Sequence, residues 1–128
     1  MIVDSSALVA LVLQEPGWER IATELTRGTH AAIGAPTLTE TAIVLRAKGT
    51  PPSLLPALLR RAGIEVVAFT ERHADLATDA YVRYGRGRHP AALNFGDCMT
   101  YAVARMAAAP LLFVGDDFSQ TDLEAVLT

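Results

Sequence analysis

The sequence predicts an α/β domain built around a largely parallel sheet. Short strand-like apolar runs alternate with longer runs of helical spacing, which is the pattern of successive βαβ units. The chain has 128 residues and a hydrophobic content of 51%, enough for one domain with a sizeable core. We therefore expect a single domain over residues 1–128, without internal repeats or linkers.

The first half of the chain predicts two strands, each followed by helices. The predicted strands are 1–4 and 31–34, and the predicted helices are 6–13, 18–28 and 36–48. Pro16-Gly17 separates the first two helices. Pro36 opens the third, since the first turn of a helix tolerates proline, and Gly49 follows its end.

The second half continues the alternation. The predicted helices are 54–62, 71–84 and 95–107, and the predicted strands are 64–69 and 111–114. Ser53 is expected to cap the first of these helices and Gly63 to end it. Ile64–Phe69 is the clearest candidate for a buried strand. A basic loop spans 85–93, and the tail from Asp117 is expected to be short helix and loop.

Composition narrows the class of protein. The longest apolar run, Ala7 to Leu13, is too short to span a bilayer. The start has no basic region and carries Asp4, unlike a signal peptide. The single cysteine, Cys98, can form neither an internal disulfide nor a metal site. These features favour the cytoplasm.

The basic residues are grouped although the net charge is −3. Arg83, Arg86, Arg88 and His89 fall within one short segment, and arginine is well shaped for phosphate. We expect these four residues to contact phosphate groups of a nucleic acid, with a solvated basic loop as the alternative. The charged fraction of 20% is below the roughly 25% of soluble domains, which suggests a surface covered by a partner.

Acidic residues lie at the junctions between predicted elements. Asp4 ends the first strand, Glu40 and Asp97 lie near the starts of helices, and Asp116 and Asp117 follow the last strand. Carboxyl ends of parallel strands and the starts of the following helices share one edge of a sheet, where ligands bind. We expect carboxylates from these four segments to converge in one crevice.

Carboxylates that lie close together repel one another. Either the pKa of some of them is raised, so that they become neutral, or a cation binds between them. Oxygen ligands without histidine or cysteine favour Mg²⁺ or Mn²⁺. Such ions generate a nucleophile near neutral pH and stabilise the leaving oxygen of a phosphodiester. The acids therefore indicate nuclease chemistry.

Each acid also has a purely structural interpretation. Glu40 fits a capping box that starts at Thr37, Asp97 lies where the helix macrodipole favours an anion, and Asp4 fits an N-cap. The two acids after the last strand fit a polar turn. The alternative function is thus a non-catalytic RNA- or protein-binding module whose acids only cap helices.

A second alternative is a phosphatase of the dehalogenase type, with Asp4 as nucleophile. That class needs a second aspartate two residues on, where this chain has Ser6, and a lysine partner, for which Lys48 is the only candidate. No glycine-rich phosphate loop is present, which disfavours Rossmann and P-loop nucleotide binding.

Four local motifs, in this order along the chain, carry a resemblance to a known family. They are Met1-Ile2-Val3-Asp4-Ser5-Ser6-Ala7-Leu8, Thr39-Glu40 after a proline, Leu93-Asn94-Phe95-Gly96-Asp97-Cys98, and Leu111-Leu112-Phe113-Val114-Gly115-Asp116-Asp117-Phe118. The set resembles the PIN-domain family, and more narrowly the VapC-type toxins of type II toxin–antitoxin modules.

The resemblance implies a three-layer α/β/α fold with a central, mainly parallel sheet of four to five strands. It implies a Mg²⁺- or Mn²⁺-dependent endoribonuclease that cleaves structured RNA such as tRNA. Asp4 and Asp97 would be the principal metal ligands, Glu40 would support them, and Ser6 matches a hydroxyl that helps position the site. Asp117 is favoured over Asp116 as the fourth acid, a preference that reverses if the last strand ends one residue earlier than predicted.

The resemblance also implies a homodimer and a small cognate antitoxin that covers the groove. The leucine stripe of helix 54–62 is compatible with a partner surface, and core packing is the alternative. Tyr81, Tyr84 and Phe95 are expected in the core, and Cys98 is expected to be a small buried residue beside the site. His89 is a weaker candidate for a proton donor to the leaving group.

Overall fold

A computed structural model describes residues 1–127; Thr128, the last residue of the predicted single domain, lies outside the described residues. The elements in chain order are β1 (Ile2–Val3), α1 (Ser5–Leu13), α2 (Trp18–Thr26), β2 (Ala31–Gly34), α3 (Ala35–Ala47), α4 (Leu54–Ala62), β3 (Ile64–Val67), α5 (Glu71–Tyr84), α6 (Phe95–Ala107) and β4 (Leu111–Leu112). No helix within residues 1–127 combines the length and apolar character needed to cross a membrane.

These four strands form one parallel sheet in the order β3-β2-β1-β4. Ile2 of β1 pairs with Ala32 on one side and with Leu111 on the other. Strands β2 and β3 therefore extend the sheet in one direction from β1, and β4 lies in the opposite direction. The predicted α/β fold with a parallel sheet is confirmed. All strands run parallel, and the order in which successive strands are added to the sheet changes sides between β1 and β4.

Alternation along the strands divides the apolar residues between two cores. Ile2, Ala32 and Leu111 face the core that contains the buried side chains of α5 and α6. Val3 and Ile33 face the opposite core, to which α1, α2, α3 and α4 contribute. Successive strand side chains point to opposite faces of a sheet, so two buried faces require a layer of helices on each. The fold is a three-layer α/β/α sandwich.

Two strand predictions need correction. The segment predicted as the clearest buried strand, Ile64–Phe69, is a strand only to Val67 and lies at the edge of the sheet, where Val66 is 45% exposed. An edge strand has a partner on one side only. The last strand ends at Leu112 rather than Val114, because the backbone N–H of Val114 donates to the Ser6 hydroxyl instead of to a strand.

The tail from Asp117 is predicted as short helix and loop, and only the helix is wrong: within residues 116–127 the chain forms turns, bends and one bridge. The Ser119 hydroxyl donates to the carbonyl of Asp116 at 2.7 Å. Such local side-chain bonds compete with helix formation. Further on, Ala125 forms an isolated parallel bridge with Leu111, so the tail adds to the edge of the sheet beside β4.

The two ends of α4 differ in how well they match the prediction. The helix ends before Gly63, as expected, but the Ser53 side chain makes no capping hydrogen bond. Ser53 already has a helical backbone conformation, with φ −78° and ψ −16°. An N-cap residue normally has extended backbone angles that aim its side chain at the first free N–H groups, and Ser53 lacks that geometry.

Candidate active site

The acidic residues gather at the carboxyl edge of the sheet, next to the point where the strand order reverses. Asp4 follows β1 directly, and the segment with Asp116 and Asp117 follows β4, the neighbour of β1. Glu40 comes from α3, which begins where β2 ends, and Asp97 comes from the first turn of α6. The crevice at such a reversal is the usual ligand site of an open parallel sheet.

Asp4 is 5% exposed, and both of its carboxylate oxygens are held by hydrogen bonds. Oδ2 accepts from the backbone N–H of Ser6 at 3.1 Å and from the Ser6 hydroxyl at 2.7 Å. Oδ1 accepts from the Thr100 hydroxyl at 2.9 Å. The structural interpretation of Asp4 as the N-cap of α1 is therefore correct, and the cap fixes the orientation of a buried carboxylate.

Ser6 links the segments that follow β1 and β4. Its hydroxyl donates to Asp4 and accepts from the backbone N–H of Val114 at 3.0 Å. The chain then turns at Gly115, whose φ of +98° is a conformation that favours glycine. Ser6 thus holds the start of the segment that carries Asp116 and Asp117 beside Asp4.

Glu40 lies in the second turn of α3 and caps nothing there. The helix begins at Ala35 with Gly34 as its N-cap, and this end has no side-chain capping bond. The capping interpretation of Glu40 is therefore wrong. Instead, Glu40 Oε1 accepts from the Ser5 hydroxyl at 3.0 Å. The carboxylate also lies against Gly96, where an added Cβ would approach Glu40 Oε2 to 2.8 Å.

Asp97 takes part in a capping box at the start of α6. Its Oδ2 accepts from the backbone N–H of Asn94 at 3.0 Å, and the Asn94 side chain accepts from the backbone N–H of Asp97 at 2.9 Å. The prediction that Asp97 sits favourably in a first turn is confirmed. The capping box engages only one of the two carboxylate oxygens, which leaves Oδ1 for a ligand.

The electrostatics of Asp97 show that four acids share one region. Burial raises the pKa of Asp97 from 3.8 to about 6, against a lowering by the Asn94 hydrogen bond. The charges of Asp117, Asp4 and Glu40 raise this pKa as well. The charges of acids from the other three segments therefore act on Asp97.

The fourth acid remains a choice between neighbours, and the structure supplies one difference between them. Both Asp116 and Asp117 are exposed, and Asp117 is the one whose charge raises the pKa of Asp97. β4 ends at Leu112, two residues and not one before Val114, so the condition that would reverse the preference is not met. The chain also leaves the sheet after Leu112 and turns at Gly115, so the strand alternation does not extend to these residues.

The donor set suits a hard divalent cation. It consists of carboxylate and hydroxyl oxygens, and the repulsion acting on Asp97 is what a cation would relieve. Within residues 1–127, no three acidic, histidine or cysteine side chains lie close enough to hold one ion together. Mg²⁺ characteristically keeps several waters and takes only one or two carboxylates from the protein, so the arrangement fits that mode of binding.

The arginines of the basic segment 83–89 differ in how far they are engaged by other protein groups. Arg83 donates to the Tyr84 hydroxyl at 3.0 Å and lies 3.8 Å from Asp122. Arg88 lies over the ring of Tyr81, 5.9 Å from its centroid. Arg86 is exposed. The segment is anchored by aromatic residues, and Arg86 and Arg88 are the arginines least committed to other protein groups.

His89 is held mainly by structural contacts. Its Nδ1 accepts from the backbone N–H of Ala91 at 3.1 Å, so a neutral ring would carry its hydrogen on Nε2. The ring also stands edge-on to Tyr84, with the ring centroids 5.0 Å apart. These contacts account for His89 without a role in catalysis.

Of the three aromatic residues expected in the core, only Tyr84 lies there. Tyr84 is buried, but Tyr81 is 41% exposed and Phe95 is 78% exposed. Both of these exposed residues line an apolar groove between α5 and α6 with a volume of about 560 Å³. Cys98 is buried as predicted, and burial raises the pKa of its thiol to about 11, which keeps it unreactive.

Four residues that support the acids were not predicted: Ser5, Thr37, Gly96 and Thr100. A sequence signal existed for the two threonines, since each lies three residues from an acid on a predicted helix and so shares its face. Ser5 and Gly96 carry no such signal, because their contacts with Glu40 join segments that only the fold brings together.

Comparison with known proteins identifies the family of this chain. The family model described as PIN domain matches residues 1–124. Ribonuclease VapC36 of Mycobacterium tuberculosis is 48% identical over 127 residues, which cover 97% of this chain and 91% of that protein. Ribonuclease VapC of Mycolicibacterium smegmatis is 41% identical over 128 residues, covering 98% and 99%.

Solved structures agree on the fold. The toxin VapC20 of Mycobacterium tuberculosis superposes with a TM-score of 0.78 at 19% identity, covering 98% of this chain and 97% of that one. A chain of a toxin–antitoxin complex from Klebsiella pneumoniae gives a TM-score of 0.72 at 16% identity, covering 94% and 92%. Given the family model and the relatives above 40% identity, the chain belongs to the PIN domain family, within its group of VapC ribonucleases.

Proposed function

We propose that this chain is the toxin of a type II toxin–antitoxin system and cleaves RNA with the help of Mg²⁺ or Mn²⁺ bound at the acidic site. Its relatives at 40 to 48% identity are VapC ribonucleases, which supports the endoribonuclease activity. The observation that supports a bound metal ion is the pKa of Asp97, which burial and the charges of three other acids raise to about 6.

Asp4 and Asp97 would hold the cation, with Glu40 and Asp117 supporting the same negative region. A divalent cation bound there supplies a nucleophile at neutral pH and stabilises charge on the phosphate. The protein's own contribution is orientation. Hydrogen bonds fix both oxygens of Asp4 and one oxygen of Asp97, so little rearrangement is needed when a ligand arrives.

RNA is a polyanion, and a site made of acids needs positive charge nearby to receive it. Arg86 and Arg88 are exposed and lie in the loop that leads into α6, ahead of Asp97. We assign to these arginines, with Arg83 and His89 as outer members of the segment, the contacts with RNA phosphates. The cation at the acids and the arginines beside them would offset the negative charge of both partners.

The partners we propose are a structured RNA such as tRNA, a small cognate antitoxin, and a second copy of this chain, all in the cytoplasm. VapC20 of Mycobacterium tuberculosis is a toxin that cleaves the sarcin–ricin loop, and the Klebsiella pneumoniae structure is a toxin–antitoxin complex. Exposed large apolar side chains on this chain, among them Ile43 and Phe95, are compatible with protein partners.

Removal of the metal or of one ligand should abolish cleavage. We expect Asp97→Asn to lower the rate of RNA cleavage by at least about 100-fold, and EDTA to abolish wild-type cleavage until Mg²⁺ or Mn²⁺ is restored. Asp79→Asn, which changes an exposed aspartate of α5, is the matched control and should cleave normally. Cleavage that survives both EDTA and Asp97→Asn would refute the metal mechanism.

The two neighbouring acids should differ in effect. Because the charge of Asp117 reaches Asp97 and that of Asp116 is not among its perturbing charges, Asp117→Asn should reduce cleavage on the order of tenfold more than Asp116→Asn. Initial rates on one RNA at saturating Mg²⁺ give the comparison. A larger loss with Asp116→Asn would assign the fourth position to that residue instead.

The pKa of Asp97 predicts a pH dependence of stability in the metal-free protein. The folded-state pKa of about 6 exceeds the ordinary value of 3.8, so the native state binds more protons between these pH values, and this carboxyl makes folding less favourable as pH rises from about 4 to above 6. Asn at position 97 stays neutral. The stability of Asp97→Asn relative to wild type should therefore increase over that range and level off above it.

Urea denaturation in EDTA at a series of pH values between about 4 and about 8 measures this difference. Subtracting wild type from the variant removes the contribution of carboxylates that do not interact with Asp97. A difference that is the same at both ends of this range would show that Asp97 titrates normally.

A further inference from the structure

Two buried threonines connect the elements that carry three of the acids. Thr37 of α3 is 2% exposed, and Thr100 of α6 is 1% exposed. Their hydroxyl oxygens lie 3.0 Å apart, and the Thr100 hydroxyl is 2.9 Å from Asp4 Oδ1. The contacts join positions 63 and 96 residues apart in the chain, so they form only in the folded protein.

The direction of these hydrogen bonds follows from the number of hydrogens available. An ionised carboxylate only accepts, and a hydroxyl has one hydrogen to donate. Thr100 donates its hydrogen to Asp4, so Thr37 is the donor to Thr100. The influence of the Thr37 hydroxyl on Asp4 therefore passes through Thr100.

Each threonine lies on the same helix as one of the other two acids, Glu40 or Asp97. Thr37 lies three residues before Glu40 on α3, and Thr100 lies three residues after Asp97 on α6. Residues three apart on a helix share a face. The hydrogen-bonded chain therefore lies about one helical turn from Glu40 and Asp97, and it ends on Asp4.

We infer that Thr100 and, through it, Thr37 are positioning residues of the acidic site: they fix the Asp4 carboxylate and hold α3 and α6 in the register that brings Glu40 and Asp97 to it. The inference rests on the proposed metal-dependent function. Hydrogen-bond partners of metal ligands orient those ligands, and their loss typically costs about 10- to 100-fold in metal affinity or activity.

Thr41 offers a matched control for the loss of a buried hydroxyl. It is fully buried on the same helix as Thr37, but its hydroxyl donates to the backbone carbonyl of Thr37 at 2.8 Å and not to the acidic site. Replacing a threonine by valine keeps the shape and removes the hydroxyl. Thr41→Val should thus lower the melting temperature without changing the site.

The test measures Mn²⁺ affinity of the metal-free protein by calorimetry, together with kcat and KM for RNA cleavage. Thr100→Val should weaken Mn²⁺ binding about tenfold or more and lower kcat more than it changes KM. Thr100→Ser, which keeps the hydroxyl, should restore most of the affinity. Adding Thr37→Val to Thr100→Val should cause no further loss, since Thr37 acts through Thr100.

The outcomes separate this inference from the proposed function. If wild type binds Mn²⁺ and Thr100→Val binds it equally well, or if Thr41→Val loses as much affinity as Thr100→Val, the threonines are only structural and the inference is wrong. If wild type itself neither binds Mn²⁺ nor cleaves RNA, the proposed function fails and the positioning role fails with it.

Discussion

Negative charge collected at one edge of the sheet is the constraint on which the rest of the structure depends. Parallel strands with helices on both faces bring the segments of Asp4, Glu40, Asp97 and Asp117 to that edge. Burial raises the pKa of Asp97, and the charges of the other three acids raise it further. The fold holds these groups together at a cost in stability, which is characteristic of functional sites. The proposed cation would account for the arrangement, because each carboxylate would then be attracted to the ion rather than only repelled by its neighbours.

The structural and catalytic interpretations of the acids are compatible, because a capping bond is also a device for orientation. Asp4 is an N-cap and Asp97 belongs to a capping box, yet each cap fixes a carboxylate within the acidic cluster. Hydroxyl groups complete the support: Ser6 ties Asp4 to the chain after β4, and Ser5 holds Glu40. Glu40 caps no helix, so capping alone does not explain why it lies with the other acids.

The sequence predicted the parts of the molecule that depend on local pattern. The helices α1 to α6 and the shared acidic edge follow from apolar spacing and from acids at the ends of elements. The errors lie where long-range contacts override local preference: the Ser6 hydroxyl takes the N–H of Val114 and ends β4 early, and Ala125 bridges Leu111 where a helix was expected. The exposure of Phe95 and the contact of Gly96 with Glu40 likewise depend on how α3, α5 and α6 pack. That packing cannot be predicted from a local sequence pattern.

The most direct test of the central claim is the number of protons released when Mn²⁺ binds, obtained by calorimetry in buffers of different ionisation enthalpy. Because the pKa of Asp97 is about 6, this group is half protonated near that pH, and a cation that binds its carboxylate must displace that proton. We predict the release of about half a proton per site at about pH 6. Binding that releases no proton at this pH, or no binding at all, would contradict the account.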